Sequence, residues 1–109
     1  MSEFNKIIED LKNQLEPLAK LMVKDYVNDA TEDGKMFINK IKVDLERWTS
    51  LLQKGEINVE EFEWLIQSKK DLAEMVLLKQ KGLGLVKVSQ FKGSLLNLIV
   101  EFFFDKFQL

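Results

Sequence analysis

Residues 94–109 read SLLNLIVEFFFDKFQL, and ten of these sixteen residues are large and apolar. A helix turns by about 100° per residue, so the ten cover an arc of roughly 240°. Asn97, Glu101, Asp105 and Gln108 fill the remaining circumference. We therefore expect this helix to bury two faces, one inside its own domain and one against a partner, a lipid or another copy of the chain.

The N-terminal half of the sequence predicts two further helices. An apolar stripe that stays in phase across Pro17 predicts a first helix over about residues 2–28, capped by Ser2 and kinked at Pro17. Residues 28–34 (NDATEDG) are polar and turn-like. A second stripe predicts a helix over residues 33–54, with Thr31 or Asp33 as its N-terminal cap.

The turn after this second helix carries the clearest local signal. Gly55 stands where a helix C-terminus favours a left-handed residue. Asn58 and Glu61 have the spacing of a capping box, which predicts a third helix over residues 58–81. A fourth helix is predicted over residues 85–107. The alternation at Leu85–Val88 reads as its first turn, because nothing else in the chain could pair with a strand there.

These elements predict an all-α fold in one domain of residues 1–109. We expect an antiparallel four-helix bundle with a kinked first helix (about 2–28, 33–54, 58–81 and 85–107). Five glycines and one proline are too few for a loop-rich β fold.

The composition argues against most catalytic and nucleic-acid-binding functions. The chain has no cysteine and no histidine, which removes the usual nucleophile, general base and zinc ligands. We therefore expect no enzyme activity, no metal site, no catalytic residues and no cofactor. Arg47 is the only arginine, so bidentate recognition of phosphate or guanine has almost nothing to work with, and no nucleic-acid partner is expected.

The expected location rests on the absence of targeting signals. The N-terminus lacks the basic stretch and apolar run of a signal peptide, and no window is long and apolar enough for a transmembrane segment. The expected location is cytoplasmic.

Two groups of side chains are candidates for binding. Residues 75–100 contain four basic residues and no acidic one, so these could contact an anionic surface: Lys79, Lys81, Lys87 and Lys92. The alternative is that these lysines only solvate a helix end and a turn. The second group is apolar and lies on the second faces of the third and fourth helices, as a candidate interface: Trp64, Met75, Leu78, Leu96, Val100, Phe103, Phe104 and Phe107. Burial of Trp64, Met75 and Leu78 against the first or fourth helix is the alternative.

Two resemblances add to this interpretation. Residues 51–72 (LLQKGEINVEEFEWLIQSKKDL) resemble the short SHOCT-type helical hairpin, which implies an interaction module without catalytic residues. The segment from Trp48 through Lys92, with KKDLAEM and LKQKGLGLVKVSQFKG, resembles an uncharacterised family of small all-helical bacterial proteins with apolipophorin-like amphipathic bundles. That resemblance implies a helical bundle that binds a lipid or a partner.

The sequence therefore favours a non-enzymatic interaction or structural protein that self-associates through its apolar C-terminal helix, as a homo-oligomer or with a partner helix. The alternative is a peripheral amphipathic bundle that binds a lipid or another hydrophobic ligand. The biological role, the partner and the oligomer order stay open.

Overall fold

A computed structural model describes residues 3–107, and every regular element in that range is helical. The all-α prediction is therefore confirmed, while the predicted cap Ser2 lies outside the described residues. Within this range two single 3₁₀ turns, Lys24–Tyr26 and Lys70–Leu72, interrupt the α-helices. The α-helices are α1 (Glu3–Lys12), α2 (Leu15–Met22), α3 (Val27–Gln53), α4 (Val59–Gln67), α5 (Val76–Gln80) and α6 (Leu85–Phe107).

The predicted first helix is bent, but the break precedes Pro17. Asn13 and Gln14 separate α1 from α2, and the Gln14 amide donates to the carbonyl of Leu11 at 3.0 Å in a tighter 3₁₀-type bond. A proline ring clashes with the carbonyl four residues earlier, which here belongs to Asn13. Pro17 itself lies in the first turn of α2, where its missing amide proton costs nothing. The break and the bond pattern are thus set by one residue.

The predicted turn at residues 28–34 is wrong, because this segment is the start of α3. Ala30, Asp33 and Gly34 are buried there. A Cβ built on Gly34 would lie 3.0 Å from Cδ2 of Leu15, so glycine allows α2 and α3 to approach closely. The predicted capping role of Thr31 or Asp33 is also wrong, since both lie inside α3 and the Asp33 carboxylate instead accepts hydrogen bonds from α5. Tertiary packing overrides the turn-like composition.

The turn between α3 and α4 matches the prediction. Gly55 has φ of +74°, and the amide of Glu56 donates to the carbonyl of Leu51 at 2.9 Å, closing the C-terminus of α3. The Asn58 side chain accepts from the Glu61 amide at 2.8 Å, and the Glu61 carboxylate accepts from the Asn58 amide at 3.1 Å. The predicted capping box is confirmed.

The predicted third helix is not continuous. It stops after α4, passes through the 3₁₀ turn and resumes as the five-residue α5, with Met75 in the left-handed region at φ of +55°. On one straight helix Ala73 and Met75 would point about 200° apart. Both are buried in the structure. The break in the helix is what allows one core to bury both side chains.

Helix α6 follows its predicted bounds and supplies much of the core. It packs against α2, α4, α5 and the Lys70–Leu72 turn. Its buried residues span an arc of about 180° on a helical wheel, and they are Val88, Phe91, Leu95, Leu96, Ile99, Val100 and Phe103. The two broken predicted helices, by changing direction, cover a wider part of α6 than two straight helices could.

Candidate interaction surfaces

The predicted apolar interface is largely inside the molecule. Met75, Leu78, Leu96, Val100 and Phe103 are buried within the chain, so the expected exposed face does not exist at these positions. This corrects the assumption that the neighbouring helices could cover only one face of α6. Phe104 and Phe107 are half-buried.

A cluster of phenylalanine rings explains why the C-terminal end of α6 is covered. The Phe103 ring lies 6.3 Å from Phe4, 5.8 Å from Phe62 and 6.0 Å from Phe107, measured between centroids. Phe62 also lies 6.4 Å from Phe104. Offset-stacked and edge-on pairs at these distances are the favoured arrangements of aromatic rings. Phe103 is thus the centre of the core where α1, α4 and α6 meet.

Trp64 is the one residue of the predicted interface that is mostly exposed, at 68%. It lies on α4, and the side-chain amide of Gln67 on the same helix donates to the Asn97 side chain of α6 at 3.3 Å. The alternative prediction, in which Trp64, Met75 and Leu78 are all buried, holds for the last two only. An exposed tryptophan is a frequent anchor of protein interfaces.

The predicted basic residues lie near exposed apolar side chains. Lys79, Lys81 and Lys87 are exposed and Lys92 is half-buried. In residues 3–107 none of the four forms an ion pair. They are therefore free to neutralise an external negative charge.

The end of α2 and the start of α6 together form a surface that sequence reasoning identified only in part. Leu21, Leu83, Lys24 and Lys87 line one groove of about 350 Å³ there, with Asp25 as its acidic member. Leu21 is 82% exposed, and Leu85 and Val86 in the first turn of α6 are 76% and 71% exposed. We call this surface, made of Leu21, Lys24, Leu83, Leu85, Val86 and Lys87, the α2–α6 end.

The exposure of Leu85 shows that α6 projects beyond its covering helices. Leu85 and Phe103 are eighteen residues apart, which places them on the same side of the helix after five full turns. Phe103 is fully buried, whereas Leu85 is almost fully accessible. Leu21 could have been noticed in the sequence as an apolar residue on the polar side of an amphipathic helix. That the two leucines lie at one end of the molecule could not.

The described part of the chain holds neither a metal-binding cluster nor a membrane-spanning helix. No group of three histidine, cysteine, aspartate or glutamate residues there could hold a metal ion. Within residues 3–107, no helix combines the length and the apolar character needed to cross a bilayer.

Comparison of the chain with protein-family models, with curated proteins and with solved structures gives no match.

Proposed function

We propose that this is a non-enzymatic helical protein that binds reversibly, through the α2–α6 end, to a membrane surface rich in anionic lipids. The observation that supports this most directly is the joint exposure of Leu21, Leu85 and Val86 beside Lys24 and Lys87. Exposed apolar side chains among lysines match a surface that is negatively charged outside and apolar beneath.

The magnitudes favour a peripheral and reversible contact. A lysine near an anionic leaflet contributes about 1 kcal/mol. Full burial of one leucine or valine contributes about 1.5–3 kcal/mol, and the interface buries only part of each. Several such contributions are needed together, so loss of any two should be visible. The negative surface potential of the cytoplasmic leaflet is the reason that we place the protein in the cytoplasm.

We also propose that the fold is an antiparallel bundle with two broken members. The order of contacts supports this arrangement. Asp33 binds the amide of Leu77, and Asp44 lies 3.7 Å from Lys69, so the two partners run in opposite directions along the chain. The same reversal relates the Phe62–Phe104 ring pair to the Gln67–Asn97 hydrogen bond. In this arrangement the α2–α6 end is one end of the bundle.

Flotation with lipid vesicles tests the membrane contact. We expect the protein to float with vesicles that contain phosphatidylglycerol and not with pure phosphatidylcholine, and to be released at high salt, since salt screens exposed charges. Absence of flotation with the anionic vesicles at low salt would reject membrane binding.

Matched variants locate the contact. The double variant Leu21→Ser and Leu85→Ser should reduce flotation strongly, and Lys87→Gln should reduce it further at moderate salt. Val43 is also exposed, at 73%, but lies on α3 outside the α2–α6 end, so Val43→Ser should have no effect. If Val43→Ser reduces flotation as much as the double variant, the α2–α6 end is not the binding surface.

A second proposal is self-association through Trp64 with the half-buried rings of the C-terminal helix. The exposed Trp64 favours it, together with the partial exposure of Phe104 and Phe107. Sedimentation equilibrium should then show a dimer or larger species that Trp64→Ser converts to monomer. A monomer at high micromolar concentration in the unmodified chain would reject it. The resemblance to apolipophorin-like bundles supports both proposals equally, since it implies lipid or partner binding.

A further inference from the structure

A second groove, of about 240 Å³, lies where the start of α1 meets the end of α3. It is lined by residues of both helices and by Phe107 of α6. The α2–α6 end involves the opposite end of α6. The two surfaces are therefore separate, and binding in this groove does not depend on the proposed membrane contact.

Thr49 gives the groove a polar group that lacks a partner. The residue is only 4% exposed, and within the described part of the chain its Oγ1 atom has no hydrogen-bond partner. Leaving a buried hydroxyl unpaired costs about 1–3 kcal/mol. A helix could satisfy a threonine through the carbonyl four residues earlier, but Thr49 makes no such bond. Because Thr49 lines the groove, a bound molecule can supply the missing partner.

The charges at the groove have one sign. Glu3 of α1 and Glu46 of α3 line it, and no lysine or arginine among the described residues does. Neither glutamate forms an ion pair with another residue in the range 3–107. A positively charged group would therefore meet two carboxylates that no described side chain neutralises. This arrangement disfavours an anion.

The remaining walls are apolar and held in place. The rings of Phe4 and Phe107 both line the groove, and both stack on the buried Phe103, at 6.3 and 6.0 Å between centroids. Ile7 is buried beside them. Since Phe103 fixes both rings, the apolar walls are formed before any ligand arrives. They suit a hydrocarbon chain attached to the charged group.

We propose that this groove binds a primary alkylamine. An ammonium group has three hydrogen-bond donors and no acceptor. It would donate to the carboxylates of Glu3 and Glu46 and to Oγ1 of Thr49, while the alkyl chain contacts Phe4 and Phe107. A quaternary ammonium ion lacks the donors, and an alcohol lacks the charge. The groove should therefore distinguish the three.

Titration of the full chain, followed by NMR of its backbone amides, tests this assignment. Pentylammonium is the probe, and 1-pentanol and pentyltrimethylammonium are the matched comparisons. We expect pentylammonium to shift the amides of Thr49, Ser50 and Gln53 with a saturable profile. The two comparison molecules should bind about fivefold or more weakly, since each loses at least one charge-assisted bond of about 1 kcal/mol.

Variants separate the groove from general surface charge. Glu46→Gln and Thr49→Val should each weaken pentylammonium binding about fivefold or more. Glu63→Gln is the control for charge, because Glu63 is exposed on α4 away from the groove. Thr31→Val is the control for the hydroxyl, because Oγ1 of Thr31 is also buried without a described partner. Neither control should change the affinity.

Three results would overturn the assignment. The first is no amide shift at the groove, and the second is equal binding of 1-pentanol. The third is a loss of affinity in Glu63→Gln equal to that in Glu46→Gln. Glu46 is exposed, so this pair remains decisive if Thr49→Val alters folding.

Discussion

The carboxylate of Asp33 accepts a hydrogen bond from the backbone amide of Leu78 at 2.9 Å, across 45 residues of sequence. Its other oxygen accepts from the amide of Leu77 at 3.0 Å. The two amides belong to the first turn of α5, whose own preceding residue, Met75, provides no side-chain cap. Asp33 is only 2% exposed, so a residue of α3 caps another helix from inside the core.

Removal of this remote cap should destabilise the protein. Asp33→Ala leaves two amides without a partner, one of them buried, and we expect the free energy of unfolding to fall by about 2–4 kcal/mol. Urea unfolding followed by circular dichroism measures this. Hydrogen exchange should accelerate first at Leu77 and Leu78. Asp105→Ala, at an exposed position of α6, is the control and should change stability by less than about 0.5 kcal/mol. Equal effects of the two variants would show that Asp33 does not cap α5.

Two helical glycines should respond in opposite directions to alanine. A Cβ on Gly93 of α6 meets nothing within 4 Å, so Gly93→Ala should stabilise the protein by about 0.5–1 kcal/mol through helix propensity. A Cβ on Gly34 meets the fully buried Leu15 at 3.0 Å. Crowding there costs about 1–3 kcal/mol and outweighs the same propensity gain. Thermal unfolding of both variants checks the signs, and a stabilised Gly34→Ala would contradict the close approach of α2 and α3.

The phenylalanine cluster predicts unequal costs for two neighbouring rings. Phe103→Ala should lower the free energy of unfolding by about 3–5 kcal/mol, because the ring is fully buried among other rings. Phe107→Ala should lower it by about 1 kcal/mol, since the ring is half-buried. Denaturant unfolding distinguishes them. If Phe103→Ala were the milder change, the assignment of Phe103 to the core would be wrong.

The capping box predicts a moderate and local effect. Asn58→Ala removes the acceptor for the Glu61 amide and should cost about 1 kcal/mol, with most of the loss at α4. Asn39→Ala, at an exposed position inside α3, serves as the comparison and should be neutral or slightly stabilising. A null effect of Asn58→Ala in urea unfolding would indicate that the box is not formed in solution.

Features controlled by neighbouring residues in sequence could be predicted. Gly55 and the Asn58–Glu61 box act within a few residues, and the structure contains both as expected. The bend of the first helix was also predictable, because Pro17 acts on a carbonyl four residues away.

Features that depend on distant residues could not be predicted. The segment 28–34 is helical because Gly34 meets Leu15 and because the Asp33 carboxylate has its partners in α5. The left-handed Met75 and the burial of α6 depend in the same way on several elements packing together. At the candidate surfaces, the lysines were visible in the sequence. Their proximity to Leu21, and the position of Thr49 beside two glutamates, depend on the fold.

The contacts of Phe103 also bear on how the chain folds during synthesis. Phe4 and Phe62 are made early, yet the ring that packs between them is made about forty residues after the second of them. A nascent chain that ends before residue 103 leaves both rings without their main partner, and exposed apolar surface of this kind favours aggregation of incomplete chains. The ribosome must therefore complete α6 before α1 and α4 can settle, which makes the last helix to be translated the one that commits the rest of the domain.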